Sequence, residues 1–438
     1  MRRPGGAADA LARAAATLRR PAVLAMFDQA AVSGASFLTT VLIGRFADPQ
    51  HLGIYSLGWS VALALMAVQM SLVTTPYAVH HHQPHVCPRA YAGSTVIMQL
   101  AMLAAVLAGL LVACAIVPVA MRPAAWAMAL AVPLLLLREF GRRMGYARLS
   151  VVTALAVDMP VVALQIAGLA LLAAAGRLSA ATAFLALGAA AATGAAVGAV
   201  ALRRQIAFRR DALGADVRRS WAFGRWIAGA QVLGVLNTQG VFWLVAAVLG
   251  TVSTGVYAAC LAIVLLCNPF MLAVGNILTP RAAETFARHG PIALRQLIAR
   301  AATVLAIVMA LFCAALFFGG DPLVQLLYGA EYAGHRTLIV LLGLTFLVGA
   351  VGMAINDGIR ALGRADIEFT STLLDSAITV GLGLLGLYWL GLVGLAWANL
   401  LGGVAALALQ ATAFRRLLRA TPPAEATVNG SARAQEPA

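Results

Sequence analysis

The residues best suited to hold a metal ion stand together between positions 80 and 87. The stretch AVHHHQPHVCP contains four of the chain's seven histidines and one of its five cysteines: His80, His81, His82, His85 and Cys87. Imidazole nitrogen and thiolate sulfur are ligands that zinc and copper accept readily. The cluster therefore suggests a metal site, and whether it is one depends on the element that carries it.

A second kind of chemistry comes from ionisable and amide side chains that interrupt long apolar runs. Asp28 and Gln29 stand in the first run, Asp158 in the fifth and Asp375 in the eleventh. Charged groups are costly inside a membrane and mark ligand or ion pathways by default. These residues are candidates for a functional role only if the apolar runs cross a membrane. The composition indicates whether they do.

The composition is that of a membrane protein. Of the 438 residues, 62% are apolar and 11% are charged, and the mean hydropathy is +0.90. A soluble domain carries about a quarter charged residues. The cysteines form no C-x-x-C pair, and four of the five lie inside apolar runs, where a thiol behaves as a small hydrophobe. We therefore predict neither a disulfide framework nor a redox role.

We predict an all-α, polytopic membrane protein with about 12 transmembrane helices, because apolar runs of spanning length recur along the chain. The predicted spans are residues 22–44, 54–78, 91–117, 124–138, 150–175, 180–202, 223–249, 254–279, 294–318, 337–360, 367–390 and 392–414. Residues 1–21 are expected to form a cytoplasmic segment. Residues 420–438, rich in proline and alanine, are expected to form a disordered tail.

The arginines predict the orientation of these spans. With the N-terminus inside, only Arg45, Arg122, Arg177 and Arg336 of the 31 arginines lie outside, and the other 27 lie on the cytoplasmic side. Short basic loops stay on the cytoplasmic side of a membrane. Both termini are therefore predicted to be cytoplasmic. The net charge of +15 is explained by topology and anionic lipid headgroups, and predicts no nucleic-acid partner.

The two halves of the chain share short motifs in the same order. G-x-Y follows spans 1 and 7, and Thr-Pro ends the helix after each. RRMGYA stands between spans 4 and 5, and RALGRA between spans 10 and 11. The motifs predict two parallel six-helix lobes, residues 22–210 and 211–419, pseudo-symmetric around a central cavity, as in some transporters.

Three segments carry a resemblance to a known family. IGRFADPQHLGIYSLG, VLGTVSTGVYAACLAIV and the stretch that begins LLYGAEYAGHR resemble polysaccharide flippases, the O-antigen and exopolysaccharide branch of the multidrug/oligosaccharidyl-lipid/polysaccharide exporter superfamily. The resemblance covers about residues 20–415. It implies that the chain flips a polyprenyl-diphosphate-linked oligosaccharide across the bacterial inner membrane by alternating access. It also implies a polysaccharide polymerase and glycosyltransferases of the same pathway as partners, besides membrane lipids.

The resemblance implies that spans 1 and 7 line the substrate cavity. The candidates for contacts with the substrate's polar head are then Asp28, Gln29, Arg225, Gln231, Asn237 and Gln239. The ordinary alternative for such residues is hydrogen bonding between neighbouring helices.

Two arginines at matching repeat positions, Arg142 and Arg360, are candidates for diphosphate binding, because a guanidinium fork suits phosphate oxygens. The positive-inside rule alone would also place arginines there. Asp158 and Asp375 are candidates for proton coupling, because burial disfavours an ionised carboxylate. The alternative for these two is a carboxyl group that holds its helix in the lobe by hydrogen bonds.

The histidine cluster falls in the loop after span 2. The corresponding loop of the second half contains one histidine, His289, and two prolines, Pro84 and Pro88, favour an irregular surface segment. We therefore predict no metal site, and no cofactor.

Two other functions stay open at this stage. A multidrug or cation antiporter of the same superfamily would share the fold, although the amide-rich polar residues and basic cytoplasmic side favour an anionic substrate. A membrane polysaccharide polymerase would need a long outer loop, whereas the longest outer segment here, GGDPLVQLLYGAEYAGHR, is about 18 residues and partly apolar. No nucleophile, metal or phosphate-loop motif is visible, so we predict that the chain is not an enzyme.

Overall fold

A computed structural model of the chain describes residues 7–81, 83, 86–148 and 150–420. Every regular element in these residues is helical, and nine stretches are long and apolar enough to cross a membrane. The predicted all-α, polytopic membrane fold is confirmed. Residues 421–438 of the predicted tail and residues 1–6 lie outside the described part of the chain.

Two of the nine stretches contain sharp breaks. Gly250, Gly290 and Gly391 have φ values of +82°, +75° and +60°, so the chain turns at each of them. Only glycine adopts this left-handed backbone without steric cost. Divided at these glycines, the nine stretches of the described residues contain twelve helical segments.

We number the segments α1 to α12. In the first half they are α1 Ala7–Phe46, α2 Pro49–His80, α3 Pro88–Ile116, α4 Arg122–Ala147, α5 Val151–Ala174 and α6 Ala180–Leu202. In the second half they are α7 210–249, α8 251–289, α9 291–328, α10 Arg336–Ala361, α11 365–390 and α12 392–420. A short 3₁₀ turn, Leu265–Cys267, interrupts α8.

The helices extend beyond several predicted spans. The fourth span, predicted to end at residue 138, continues to Ala147, and the central basic segment is helical from residue 210 and not a loop. Both predictions left these charged residues outside the helix. Within the helices, Glu139 pairs with Arg143 on α4, and the buried Asp216 of α7 accepts a hydrogen bond from Ser94 of α3.

The chain divides into two compact units, Met1–Ala246 and Ala247–Ala438. Within the first unit, α4 and α6 approach closely through small residues. A Cβ on Gly188 would lie 2.9 Å from the Cα of Ala131, and Gly198 meets Gly141 in the same interface. Small residues let helix backbones pack closely where no hydrophobic effect drives association. The predicted lobes, which divide at residue 211, stay a prediction.

The residues after α6 belong to the first unit through polar contacts at the start of α7. The Asp216 carboxylate accepts a hydrogen bond from Ser94 at 2.7 Å, and Ser220 bonds the Tyr91 hydroxyl at 2.8 Å. Gly224 packs against the carbonyl group of Ser71, which lies in a π-helical turn of α2, Met70–Thr74. In the second unit α9 and α10 pack around a core that includes Leu305 and Ala350.

Candidate functional site

The last turns of α4 present a row of charged side chains. Arg138, Arg142 and Tyr146 recur every four residues, so they lie one above another on the same helix face. Glu139 and Arg143 form a second row beside them, joined by an ion pair of 2.7 Å. The two rows are adjacent on the helix surface. All five residues belong to the helix because it continues to Ala147.

Arg142 joins α4 to the two helices on either side of it. Its Nε donates to Asp158 Oδ2 of α5 at 2.6 Å, and its Nη2 donates to Asp28 Oδ2 of α1 at 3.3 Å. Gln29 Oε1 lies 3.5 Å from the same Nη2. The Arg142 side chain is 14% exposed, whereas both aspartates are fully buried. Arg142 is therefore held between two buried carboxylates.

The other members complete the cluster, which we call the α1–α4–α5 network: Asp28, Gln29, Arg138, Glu139, Arg142, Arg143, Tyr146 and Asp158. Arg138 Nη2 donates to Asp158 Oδ1 at 2.5 Å, and the Tyr146 hydroxyl donates to Asp28 Oδ2 at 2.7 Å. Three carboxylates face three guanidinium groups, so the network is neutral as a whole. Neutrality and hydrogen bonding are what make buried charges tolerable.

Two atoms of this network keep unused bonding capacity. Asp28 Oδ1 and Arg138 Nε are buried and have no hydrogen-bond partner. An unsatisfied buried polar atom costs roughly 1–3 kcal/mol. The network therefore leaves one acceptor and one donor without a partner.

The second unit repeats part of this arrangement. Arg360, in the last turn of α10, pairs with Glu368 of α11 through two nitrogens, with Nε to Oε2 at 2.8 Å. Its Nη1 also lies 3.4 Å from Asp357 Oδ1, which accepts a second bond from Thr279 of α8. As with Arg142, the arginine ends the fourth helix of its half and pairs with a carboxylate on the next helix. Arg360 is more open, with 46% of its side chain exposed.

Asp375 lies two turns beyond Glu368 on α11. It is half-buried against α12, where a Cβ on Gly402 would lie 2.5 Å from Asp375 Oδ1. Thr379 donates to the same oxygen at 3.5 Å. A glycine is required opposite this carboxyl group, so the α11–α12 contact fixes its position.

The other four candidates lie on α7. Arg225 is exposed, with its guanidinium 5.2 Å from the centre of the Trp226 ring. Gln231, Asn237 and Gln239 are half-buried along the following turns.

The histidine segment is only partly described. His80 packs edge-on against Tyr91 and Phe223, and His81 stacks on Tyr77 at 4.8 Å. His82 and His85 lie outside the described residues. Within the described ranges, no three histidine, cysteine or acidic side chains come together as metal ligands.

The structure thus brings Asp28, Gln29, Arg142 and Asp158 into one network. The positions of these residues in the sequence do not show that their side chains are in contact. Four members of the network are not among the sequence-predicted candidates: Arg138, Glu139, Arg143 and Tyr146. The signal for them is the four-residue spacing of positions 138, 142 and 146 and of positions 139 and 143, which the prediction of a loop after residue 138 leaves unused.

Solved structures with this fold are transporters. An inward-facing multidrug resistance MATE family transporter of the MOP superfamily superposes with a TM-score of 0.74 at 13% identity, covering 88% of this chain and 94% of that one. The protein has the fold of the MOP-superfamily transporters. The lipid II flippase MurJ, in an inward closed conformation, gives a TM-score of 0.69 at 11% identity, covering 90% of this chain and 87% of that one.

One curated relative is similar in sequence. The amylovoran biosynthesis protein AmsL of Erwinia amylovora is 29% identical over 164 residues, which is 37% of this chain. The match spans 41% of that relative's length. No protein-family model matches the chain.

Proposed function

We propose that the protein flips a polyprenyl-diphosphate-linked oligosaccharide across the bacterial inner membrane for the synthesis of a cell-surface polysaccharide. The observation that carries the proposal is the similarity to a protein named for amylovoran biosynthesis, found on the fold shared with a lipid II flippase. The partners we propose are the polymerase and glycosyltransferases of the same pathway.

The physical requirement for such a protein is a polar route for the sugar head. Each polar group left without a hydrogen-bond partner in hydrocarbon costs several kcal/mol, so the head cannot cross a bilayer unaided. A protein that exposes arginines and amides from membrane-spanning helices supplies those partners, while the isoprenoid tail stays in lipid. Alternating access then moves the head, and no bond is made or broken.

Among the arginine candidates, we assign contact with the diphosphate to Arg225. Its side chain is exposed, and a guanidinium group recognises phosphate oxygens through paired hydrogen bonds. We assign Arg142 and Arg360 positioning roles instead, because carboxylates already occupy their nitrogens. Gln231, Asn237 and Gln239 are proposed to bind sugar hydroxyl groups.

For proton coupling we propose Asp375 over Asp158. Protonation of Asp158 would break its ion pairs with both Arg138 and Arg142 and would leave two guanidinium groups without that partner. Asp375 lies at the contact of α11 with α12, where a change of its charge acts on the packing of two helices.

Export of cationic drugs is a second candidate, favoured by the likeness in fold to a multidrug transporter. The two functions differ in the charge of the substrate. The exposed guanidinium of Arg225 attracts a diphosphate and repels a cation. We therefore prefer the flippase.

Lipid mass spectrometry on cells depleted of the protein tests the proposal. We expect a polyprenyl-diphosphate oligosaccharide to accumulate, and a plasmid copy of the wild type or of the matched control Arg177→Gln to remove it. Arg177 is exposed at the α5–α6 turn, away from the proposed contacts. Unchanged lipids together with increased sensitivity to cationic drugs would establish the drug exporter instead. Accumulation of single flipped repeat units would indicate a polymerase.

A further inference from the structure

An apolar cavity of about 180 Å³ lies within the first unit, between α2, α3, α4 and α6. Its walls include Ile54, Leu110, Val117, Met121, Met128 and Phe184. No lining side chain carries a nitrogen or oxygen atom. We call it the α3–α4 groove, because it lies beside the connection between those helices.

The size and chemistry of the groove suit a hydrocarbon chain. A cavity of about 150 Å³ with aliphatic and aromatic walls stays dry and binds a molecule as large as benzene. A groove of about 180 Å³ therefore has room for a comparable length of acyl chain and gives water no hydrogen-bond partner.

The groove is open on the side of the helices that faces lipid. Val117 and Met121 on its rim are half-buried, and the neighbouring Ile116 and Val119 are 78% and 72% exposed. Apolar side chains this exposed, on helices that cross a membrane, lie against lipid chains. A lipid chain therefore reaches the groove without entering water.

A cationic side chain lies at the rim. Arg122 begins α4, and its Nε donates to the Val117 carbonyl at 3.4 Å, so the guanidinium stands beside the groove and is itself exposed. The positive-inside rule does not explain this arginine, since it is one of four predicted on the outer side. An arginine that lies over apolar surface keeps its charged end at the level of the headgroups.

We propose that the α3–α4 groove binds one acyl chain of an anionic phospholipid, whose phosphate contacts Arg122. The apolar walls match the chain, and the positive rim matches the phosphate. Polyprenyl phosphate also offers a hydrocarbon chain and a phosphate, so its competition with a phospholipid probe distinguishes the two occupants. This lipid site lies outside the residues assigned to the substrate.

Photolabelling in lipid nanodiscs tests the site. The full-length protein is reconstituted in phosphatidylethanolamine with a small amount of phosphatidylglycerol that carries a diazirine on its acyl chain. After illumination, we expect the label in peptides that cover residues 110–128. Ala113→Phe fills the groove, and the loss of about two buried methylene groups from the lipid lowers its apparent affinity about tenfold. Labelling spread evenly over the exposed faces of all helices would overturn the proposal.

Two further variants separate the contributions of groove and charge. Ala115→Phe, on the exposed face of the same helix, is the matched control and should label like the wild type. Arg122→Gln keeps the groove and should weaken phosphatidylglycerol binding about fivefold while leaving a neutral probe unaffected. It also remains informative if Ala113→Phe fails to fold. An unchanged affinity in Arg122→Gln, or displacement of the probe by an equal amount of polyprenyl phosphate, would contradict the assignment.

Discussion

Asp28 and Asp158 are fully buried carboxylates on two different helices, and Arg142 of a third helix binds both. An ion pair of this kind adds little net stability over an apolar packing of the same shape. We infer that the network acts on specificity, because the charges are satisfied together only when α1, α4 and α5 hold this relative position, and that these three helices form one rigid group.

The residue-scale prediction concerns the removal of one charge from this network. Asp158→Asn leaves Arg138 and Arg142 as buried cations without their carboxylate, which should lower the free energy of unfolding by about 3 kcal/mol or more. Asp366→Asn is the matched control, because Asp366 pairs with Arg364 at an exposed site, where the loss of an ion pair changes stability little. Thermal unfolding in detergent measures both variants. Equal midpoints for the two would show that the network does not hold the helices together.

At the scale of elements, the α11–α12 hairpin depends on two glycines that face each other. A Cβ on Gly394 would lie 2.2 Å from the carbonyl oxygen of Gly386, and a Cβ on Gly386 would lie 2.6 Å from the carbonyl group of Gly394. Backbone atoms cannot move aside as a flexible side chain can. The hairpin carries Asp375 and Glu368, so its packing also sets the position of these carboxylates.

We therefore expect Gly394→Ala to destabilise the protein by about 2 kcal/mol or more, because overpacking against backbone forces the helices apart. Gly381→Ala is the control on α11, where a Cβ meets nothing within 4 Å. Alanine is the better helix former by about 1 kcal/mol, so this variant should be neutral or slightly stabilising. The midpoint of thermal unfolding distinguishes the two, and a Gly394→Ala midpoint at the wild-type value would refute the close contact.

Hydropathy predicted most of these elements, because a membrane requires about 20 apolar residues for each span. The breaks near Gly250 and Gly391 were also placed correctly, since short polar or glycine-rich segments separate the apolar runs there. The predicted end of the fourth span, at residue 138, is wrong. A prediction from hydropathy treats charged residues such as Glu139 and Arg142 as solvent-exposed and so ends the helix before them. Which distant carboxylates pair with Arg142 depends on tertiary packing, and no pattern in one sequence contains that information.

For the whole molecule, the uneven distribution of arginines predicts which side of each helix pair faces the cytoplasm. Arg177 lies in the turn between α5 and α6, on the predicted outer side, and Arg204 follows α6 on the predicted inner side. Both arginine side chains are exposed. Of the native cysteines, Cys87 is exposed and the other four are buried, so they should react little with a labelling reagent. These two positions therefore report on orientation with little background.

In a Cys87→Ser background, Arg177→Cys should react with a membrane-impermeant maleimide added to cells whose outer membrane has been made permeable. Arg204→Cys should react only after the inner membrane is opened as well, because short arginine-rich loops stay in the cytoplasm. Gel-shift detection of the label gives the result. Labelling of Arg204→Cys in intact spheroplasts would reverse the proposed topology.

The measurement that tests the central claim most directly is translocation in proteoliposomes. The purified protein is reconstituted with a polyprenyl-diphosphate oligosaccharide, and a membrane-impermeant glycosidase reports how much of the lipid reaches the outer leaflet. We predict that the protein makes nearly all of the lipid accessible, whereas protein-free vesicles expose only the part that began outside. Arg225→Gln should slow the exchange, and Arg177→Gln should not. Accessibility equal to that of protein-free vesicles, in a preparation that transports an organic cation, would contradict the flippase.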